Sequence, residues 1–97
     1  MHGAFRKYKV DPDQIDELSR RIASDFVPQV SQEPGFAAYH VIDAGNGIVI
    51  TVTLGDDADA VQRSMDTAAN FVRDELPNMD IERVEAAHGD VTVSETG

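Results

Sequence analysis

Glu33-Pro34-Gly35-Phe36-Ala37-Ala38-Tyr39-His40-Val41-Ile42-Asp43-Ala44-Gly45-Asn46-Gly47-Ile48-Val49-Ile50-Thr51-Val52-Thr53-Leu54 decides how this chain folds. Two runs rich in β-branched and aromatic residues flank Asn46-Gly47, a pair that accepts positive φ at both central positions of a hairpin turn. The stretch therefore predicts a β-hairpin. Neither run has a polar face, so both sides of the sheet it joins need cover. With a two-residue turn, Gly45 faces Ile48 and the pairing is fixed. One face then carries Ala37, Tyr39, Val41, Ile48, Ile50, Val52 and Leu54. The other carries Phe36, Ala38, His40, Ile42, Val49, Thr51 and Thr53. The first is the better seat for helices. The second is apolar but holds threonines and a histidine, which suits a partly wet interface with another subunit. A one-residue slip would exchange the two.

Upstream, Phe5 to Val10 alternates, with Phe5, Lys7 and Lys9 on one side of a strand and Arg6, Tyr8 and Val10 on the other. Asp11-Pro12-Asp13-Gln14 then marks a helix start: Asp11 as cap, Pro12 in the first turn, Gln14 placed to close a capping box. Ile15, Leu18, Ile22 and Phe26 recur at helical spacing, and Pro28 should kink or end the helix. Downstream, Asp57 caps a second helix whose stripe is Val61, Met65, Ala68, Val72 and Leu76, ended by Pro77-Asn78. A last strand is expected from Ile81 through Val84, Ala86 and His88. A bend or bulge falls at Gly89-Asp90, Val91-Thr92-Val93 continues the strand, and Ser94 to Gly97 fray.

Ninety-seven residues make a single domain spanning 1–97. A chain this short buries little enough surface to gain from pairing. Eighteen acidic side chains against eight basic ones give a net charge of −10, which repels nucleic acid and anionic membrane. An Asp-rich, Lys-poor surface fits either a high-salt cytoplasm or a GC-rich genome. No apolar run approaches the roughly 20 residues that span a bilayer, and the first residues lack a signal-peptide core, so a cytoplasmic location is expected. The absence of cysteine excludes disulfides, thiolate nucleophiles and cysteine metal sites.

The order strand, helix, strand, strand, helix, strand is the split βαβ pattern. It predicts an α+β, ferredoxin-like βαββαβ fold with two helices on one face of an antiparallel sheet. A two-fold partner can cover the bare face, pairing two copies as a dimeric α/β barrel. At this level the chain resembles the antibiotic biosynthesis monooxygenase-like family of dimeric α+β barrels, in particular its short stand-alone members. The resemblance runs from Phe5 to Val93. It rests on Phe26-Val27-Pro28, Glu33 to Tyr39, Gly45-Asn46-Gly47, Thr51 to Leu54 leading into Asp57-Ala58, Phe71-Val72-Arg73-Asp74 and Gly89-Asp90-Val91. It implies a homodimer with a pocket between sheet and helices. It further implies cofactor-independent oxidation or isomerisation of a small aromatic or quinone-type molecule. Haem-degrading members use an Asn, Trp and His set, and this chain has no tryptophan.

Candidate catalytic residues are His40, able to move a proton near neutral pH, and Tyr39, able to polarise a phenolic substrate. Candidate substrate-binding residues are Tyr8 and the helical pair Asn70 and Arg73, whose amide and guanidinium together suit an oxyanion. Each has a plain structural alternative: an interface histidine, core-rim tyrosines and a solvated helix flank. No histidine pair has metal-ligand spacing, so no metal is expected and no cofactor is implied. The alternative function is a non-catalytic homodimeric small-ligand-binding or structural module.

Overall fold

The computed structural model describes residues 1–96; Gly97, the last residue expected to fray, lies outside them. Strand β1 (His2–Val10) leads through a 3-10 turn (Pro12–Gln14) into α1 (Ile15–Arg21), a π-helical turn (Ile22–Phe26) and α2 (Val27–Val30). The hairpin follows as β2 (Phe36–Gly45) and β3 (Ile48–Gly55), then α3 (Ala58–Glu75) and β4 (Ile81–Asp90). The strands form one antiparallel sheet in the order β2-β3-β1-β4, the ferredoxin-like arrangement.

Local chemistry sets the joints. Asp11 Oδ1 accepts from the Asp13 N–H at 2.9 Å, whereas Gln14 makes no cap bond of its own. Asp57 Oδ1 accepts from Ala60 N–H at 2.8 Å and starts α3. Pro28 neither ends the first helical arm nor stands alone as a kink. The π-helical turn ahead of it widens the backbone, the missing donor is tolerated at the start of α2, and the Gln29 amide donates to the Asp25 carbonyl at 3.0 Å.

At the hairpin tip Gly45, Asn46 and Gly47 all have positive φ, at 86°, 56° and 80°. The Gly47 carbonyl accepts from Val10 N–H at 2.8 Å, so turn and β1 end are held backbone to backbone. A Cβ at Gly47 would lie 2.5 Å from the Val10 carbonyl oxygen, while one at Gly45 would meet nothing within 4 Å. Gly47→Ala is therefore expected to cost roughly 2–4 kcal/mol, from left-handed backbone plus overpacking, and Gly45→Ala only about 1–2 kcal/mol. Urea denaturation of the two variants checks this. Equal losses would mean that the Val10 contact carries no penalty.

The tip also corrects the expected faces. Gly45 does pair with Ile48, but the register shifts between Asp43 and Gly45, so Asp43 pairs with Val49 and Ala44 bulges out. This one extra residue moves β3 by one relative to β2. Tyr39 and Val41 share the helix side with Val49, Thr51 and Thr53, which are buried; His40 and Ile42 share the outer side with Ile50 and Val52.

Val10, Ile15, Leu18, Phe26, Val30, Val49, Phe71 and Leu76 form the core between sheet and helices. In α3 the inward positions are Ala60, Val61, Ser64 and Phe71, with Ala68 packed against the core. Met65 is half-buried and Val72 reaches 36% exposure, so the stripe is rotated from the expected one. The expected bulge in the last strand also moves. It falls at Val84, between the pairs Lys7–Glu85 and Tyr8–Arg83. The strand ends at Asp90, and Val91 adds only one bond, from its N–H to the Met1 carbonyl.

The outer side of the sheet carries no helix. Phe5, Ile50, Val52 and Leu54 are half-buried there, Ile42 is 46% exposed, and Lys7 and Lys9 stand opposite Glu85 and Glu82.

Candidate functional site

Between the sheet and the helices lies a cavity of about 390 Å³. Its floor is the inward side of all four strands: Arg6, Tyr8 and Val10 from β1, Tyr39 from β2, Val49 and Thr51 from β3, Ile81 and Arg83 from β4. Its roof comes from Leu18, Ile22 and Phe26 of the first helical arm and from Ala68, Phe71, Val72 and Leu76 around α3. The size and largely apolar lining are those of a small-molecule site.

Phe26 anchors one wall. It meets Tyr39 edge-on at 5.0 Å between ring centroids and Phe71 tilted at 5.5 Å. Such aromatic pairs contribute about 0.5–1.5 kcal/mol each beyond burial and hold Tyr39 in a defined orientation. Burial pushes the Tyr39 phenol well above its ordinary range, and the neighbouring Tyr8 adds to this. The polar Thr51 side chain and the charge of Arg6 pull the other way without reversing it. Tyr39 is therefore a neutral phenol at physiological pH, able to donate a hydrogen bond but poorly suited to act as a base. Arg6 presents a buried Nε that has no hydrogen-bond partner among the described residues. Arg83 stands opposite Tyr8 across the β1–β4 ladder. The lining contains no Asp, Glu or His.

Of the residues singled out from sequence, the cavity brings together Tyr8 and Tyr39. His40 lies on the other side of the sheet, exposed, because adjacent strand residues point to opposite faces. Asn70 and Arg73 are exposed on the outer flank of α3, whose inward face is set by Val61, Ser64, Ala68 and Phe71. Arg73 Nε bonds Asp74 Oδ1 at 3.0 Å. The sequence reading missed Arg6, Thr51 and Arg83. Arg6 was within reach, since it alternates in phase with Tyr8 and Val10. Arg83 was not, because an unmarked bulge decides its side. At the other end of β1, His2 Nε2 lies 3.0 Å from His88 Nδ1, and His2 Nδ1 lies 3.3 Å from Asp90 Oδ1. This cluster is separate from the cavity, and among the described residues no three His, Asp or Glu side chains are arranged to hold a metal ion.

No protein-family model matches the chain, and no curated protein matches it. Solved structures do. MupZ from Pseudomonas fluorescens superposes with a TM-score of 0.75 at 16% identity over 90% of this chain, which spans 65% of MupZ. A dimeric ferredoxin-like protein from an uncultured marine organism superposes at 0.74 with 9% identity, over 99% of this chain and 97% of the other. The monooxygenase ActVA-Orf6 of Streptomyces coelicolor, solved with the ligand Nanaomycin D, superposes at 0.74 with 15% identity, over 99% and 91% of the two chains. Proteins described as antibiotic biosynthesis monooxygenases are among the matches as well. The fold is thus that of the antibiotic biosynthesis monooxygenase-like proteins. At these identities the likeness concerns the fold, and function has to be argued from the site.

Proposed function

We propose that this protein is a cytoplasmic homodimer that binds a small aromatic or quinone-type molecule in the cavity between sheet and helices. There it oxidises or isomerises the ligand in a cofactor-independent, monooxygenase-like manner. The observation that carries the reading is the cavity itself. Beside the packed core, part of the space between the helices and the sheet is open, with Phe26, Phe71 and Leu76 as walls and two phenols at the floor. The apolar outer face and the dimeric neighbour of the same fold support the homodimer.

A substrate that supplies its own electrons needs only dioxygen. In a hydroxyanthrone, the ring CH₂ becomes C=O: one oxygen atom forms the new carbonyl, the other leaves as water with the two hydrogens of the carbon, and O₂ is the species reduced. Tyr39, kept protonated, would donate a hydrogen bond to the substrate's ring oxygen, and Tyr8 would orient the same edge. With no carboxylate or imidazole in the lining, the proton would leave to water rather than to a side chain. That last feature also favours the second reading, a homodimeric binding module without turnover.

The test is oxygen uptake with a hydroxyanthrone, alongside direct binding of the same compound. Tyr39→Phe is expected to weaken binding and any turnover up to about tenfold, the value of one hydrogen bond. His40→Ala should leave both unchanged. Binding without oxygen uptake above the uncatalysed rate selects the second reading. A loss of binding in His40→Ala with none in Tyr39→Phe would place the site on the wrong side of the sheet.

A further inference from the structure

The chain has six arginines, and four of them have partners. Arg20 reaches Glu17 at 3.6 Å, Arg21 reaches Glu75 at 4.0 Å, Arg73 bonds Asp74, and Arg63 donates to the Pro34 carbonyl at 2.9 Å. Among the described residues the remaining two, Arg6 and Arg83, have neither an ion pair nor a hydrogen bond, and they are the two that line the cavity. In a chain with eighteen acidic side chains this separation needs a cause. A buried guanidinium N–H without an acceptor is expensive, and buried donors are normally satisfied. The Arg6 Nε is therefore a buried donor with no acceptor among the described residues.

Two further features point the same way. The Val84 bulge is what brings Arg83 to the cavity side, because in unbroken register the residue opposite Tyr8 would be Val84. Bulges of this kind re-aim side chains beside functional sites. Among the described residues the cavity lining also holds no carboxylate, so none within it competes for the two guanidiniums. Surface charges more than about 8–10 Å away are screened at physiological salt, so the lining rather than the net charge sets the local potential.

Resting on the aromatic-cavity reading above, we propose that the ligand is an anion: a planar aromatic molecule whose carboxylate or ionised hydroxyl is received by Arg6 and Arg83. Arginine suits this role because its planar donors match two oxygens at once and its charge persists at all physiological pH values. The phenols of Tyr8 and Tyr39 would donate hydrogen bonds to the same edge of the ligand.

Three fluorescent probes of one shape separate the possibilities: 2-naphthoate, 2-naphthamide and 2-naphthol. The expected result at pH 7 is that naphthoate binds at least tenfold tighter than naphthamide, or that bound naphthol absorbs as its anion where free naphthol is neutral. The first outcome identifies a carboxylate ligand, the second an ionised hydroxyl. In Arg6→Met the preference should collapse at least tenfold while naphthamide affinity stays within about twofold. Arg83→Met, on an exposed edge strand, gives a second reading should Arg6→Met fold poorly. Equal binding of naphthoate and naphthamide, with bound naphthol neutral, would overturn the inference and leave the aromatic cavity standing. If none of the three binds, the aromatic-cavity reading falls and the anion with it.

Discussion

Replacing Phe26 by alanine is expected to remove about 3–5 kcal/mol of stability, the usual cost of deleting a fully buried aromatic ring. Phe26 is 1% exposed and touches three elements at once: its own helical arm, Tyr39 on β2 and Phe71 on α3. It also lies directly beside the cavity, so the void left behind merges with space already empty. Neighbours have little reason to collapse into it, and the loss should fall toward the upper end of that range. Domains of this size hold only about 5–15 kcal/mol in total. The urea midpoint should fall by a third or more with little change in slope, while Phe26→Leu should lose less than about 1.5 kcal/mol. A fall smaller than about 1 kcal/mol for the alanine variant would show that the helical arm is held elsewhere. Ligand affinity should fall with the ring, since Tyr39 loses the edge that orients it.

Where local chemistry dictates backbone, the sequence was legible. Asn46-Gly47 demanded positive φ and gave the hairpin; Asp11-Pro12 and Asp57 fixed both helix starts; the order of elements followed. Faces were harder. In β3 both sides are β-branched, so Val49, Thr51 and Thr53 read as well outward as inward. The deciding feature is the bulge at Ala44, where the following Gly45, with positive φ, reads equally well as part of the Asn46-Gly47 turn. Val84 carries no mark at all, being an ordinary β-former whose bulging decides that Arg83 belongs to the cavity. Tyr39 and His40 could never have shared a site, because strand alternation separates neighbours, and that was readable without a structure. Asn70 and Arg73 failed for a related reason: two polar residues three apart on α3 share a surface, but it is the one turned away from Phe71. The orphaned Nε of Arg6 had no sequence signal, since only packing shows that a donor lacks an acceptor.

Val52→Glu is expected to convert a dimer into a folded monomer. Val52 sits at the middle of the outer face, paired with Phe5 on β1 and His40 on β2, and it borders a shallow depression with Ala87. Around it the face has the composition of an interface: an apolar centre of Phe5, Ile50 and Leu54, and a polar edge where Lys7 and Lys9 oppose Glu85 and Glu82. In an isolated subunit this much apolar surface is left wet, and two copies related by a two-fold axis would bury it with the same patch twice. An unpaired carboxylate in the middle of that contact would cost several kcal/mol, which corresponds to at least a hundredfold weaker association. The subunit itself should survive, because Val52 is only half-buried in it. Each copy carries a charge of −10, so association of the unaltered protein should strengthen as salt rises and screens the repulsion. Sedimentation at micromolar concentration decides the matter. An unaltered protein that runs as a monomer would remove the dimer, and a Val52→Glu variant that still pairs would move the interface to another face.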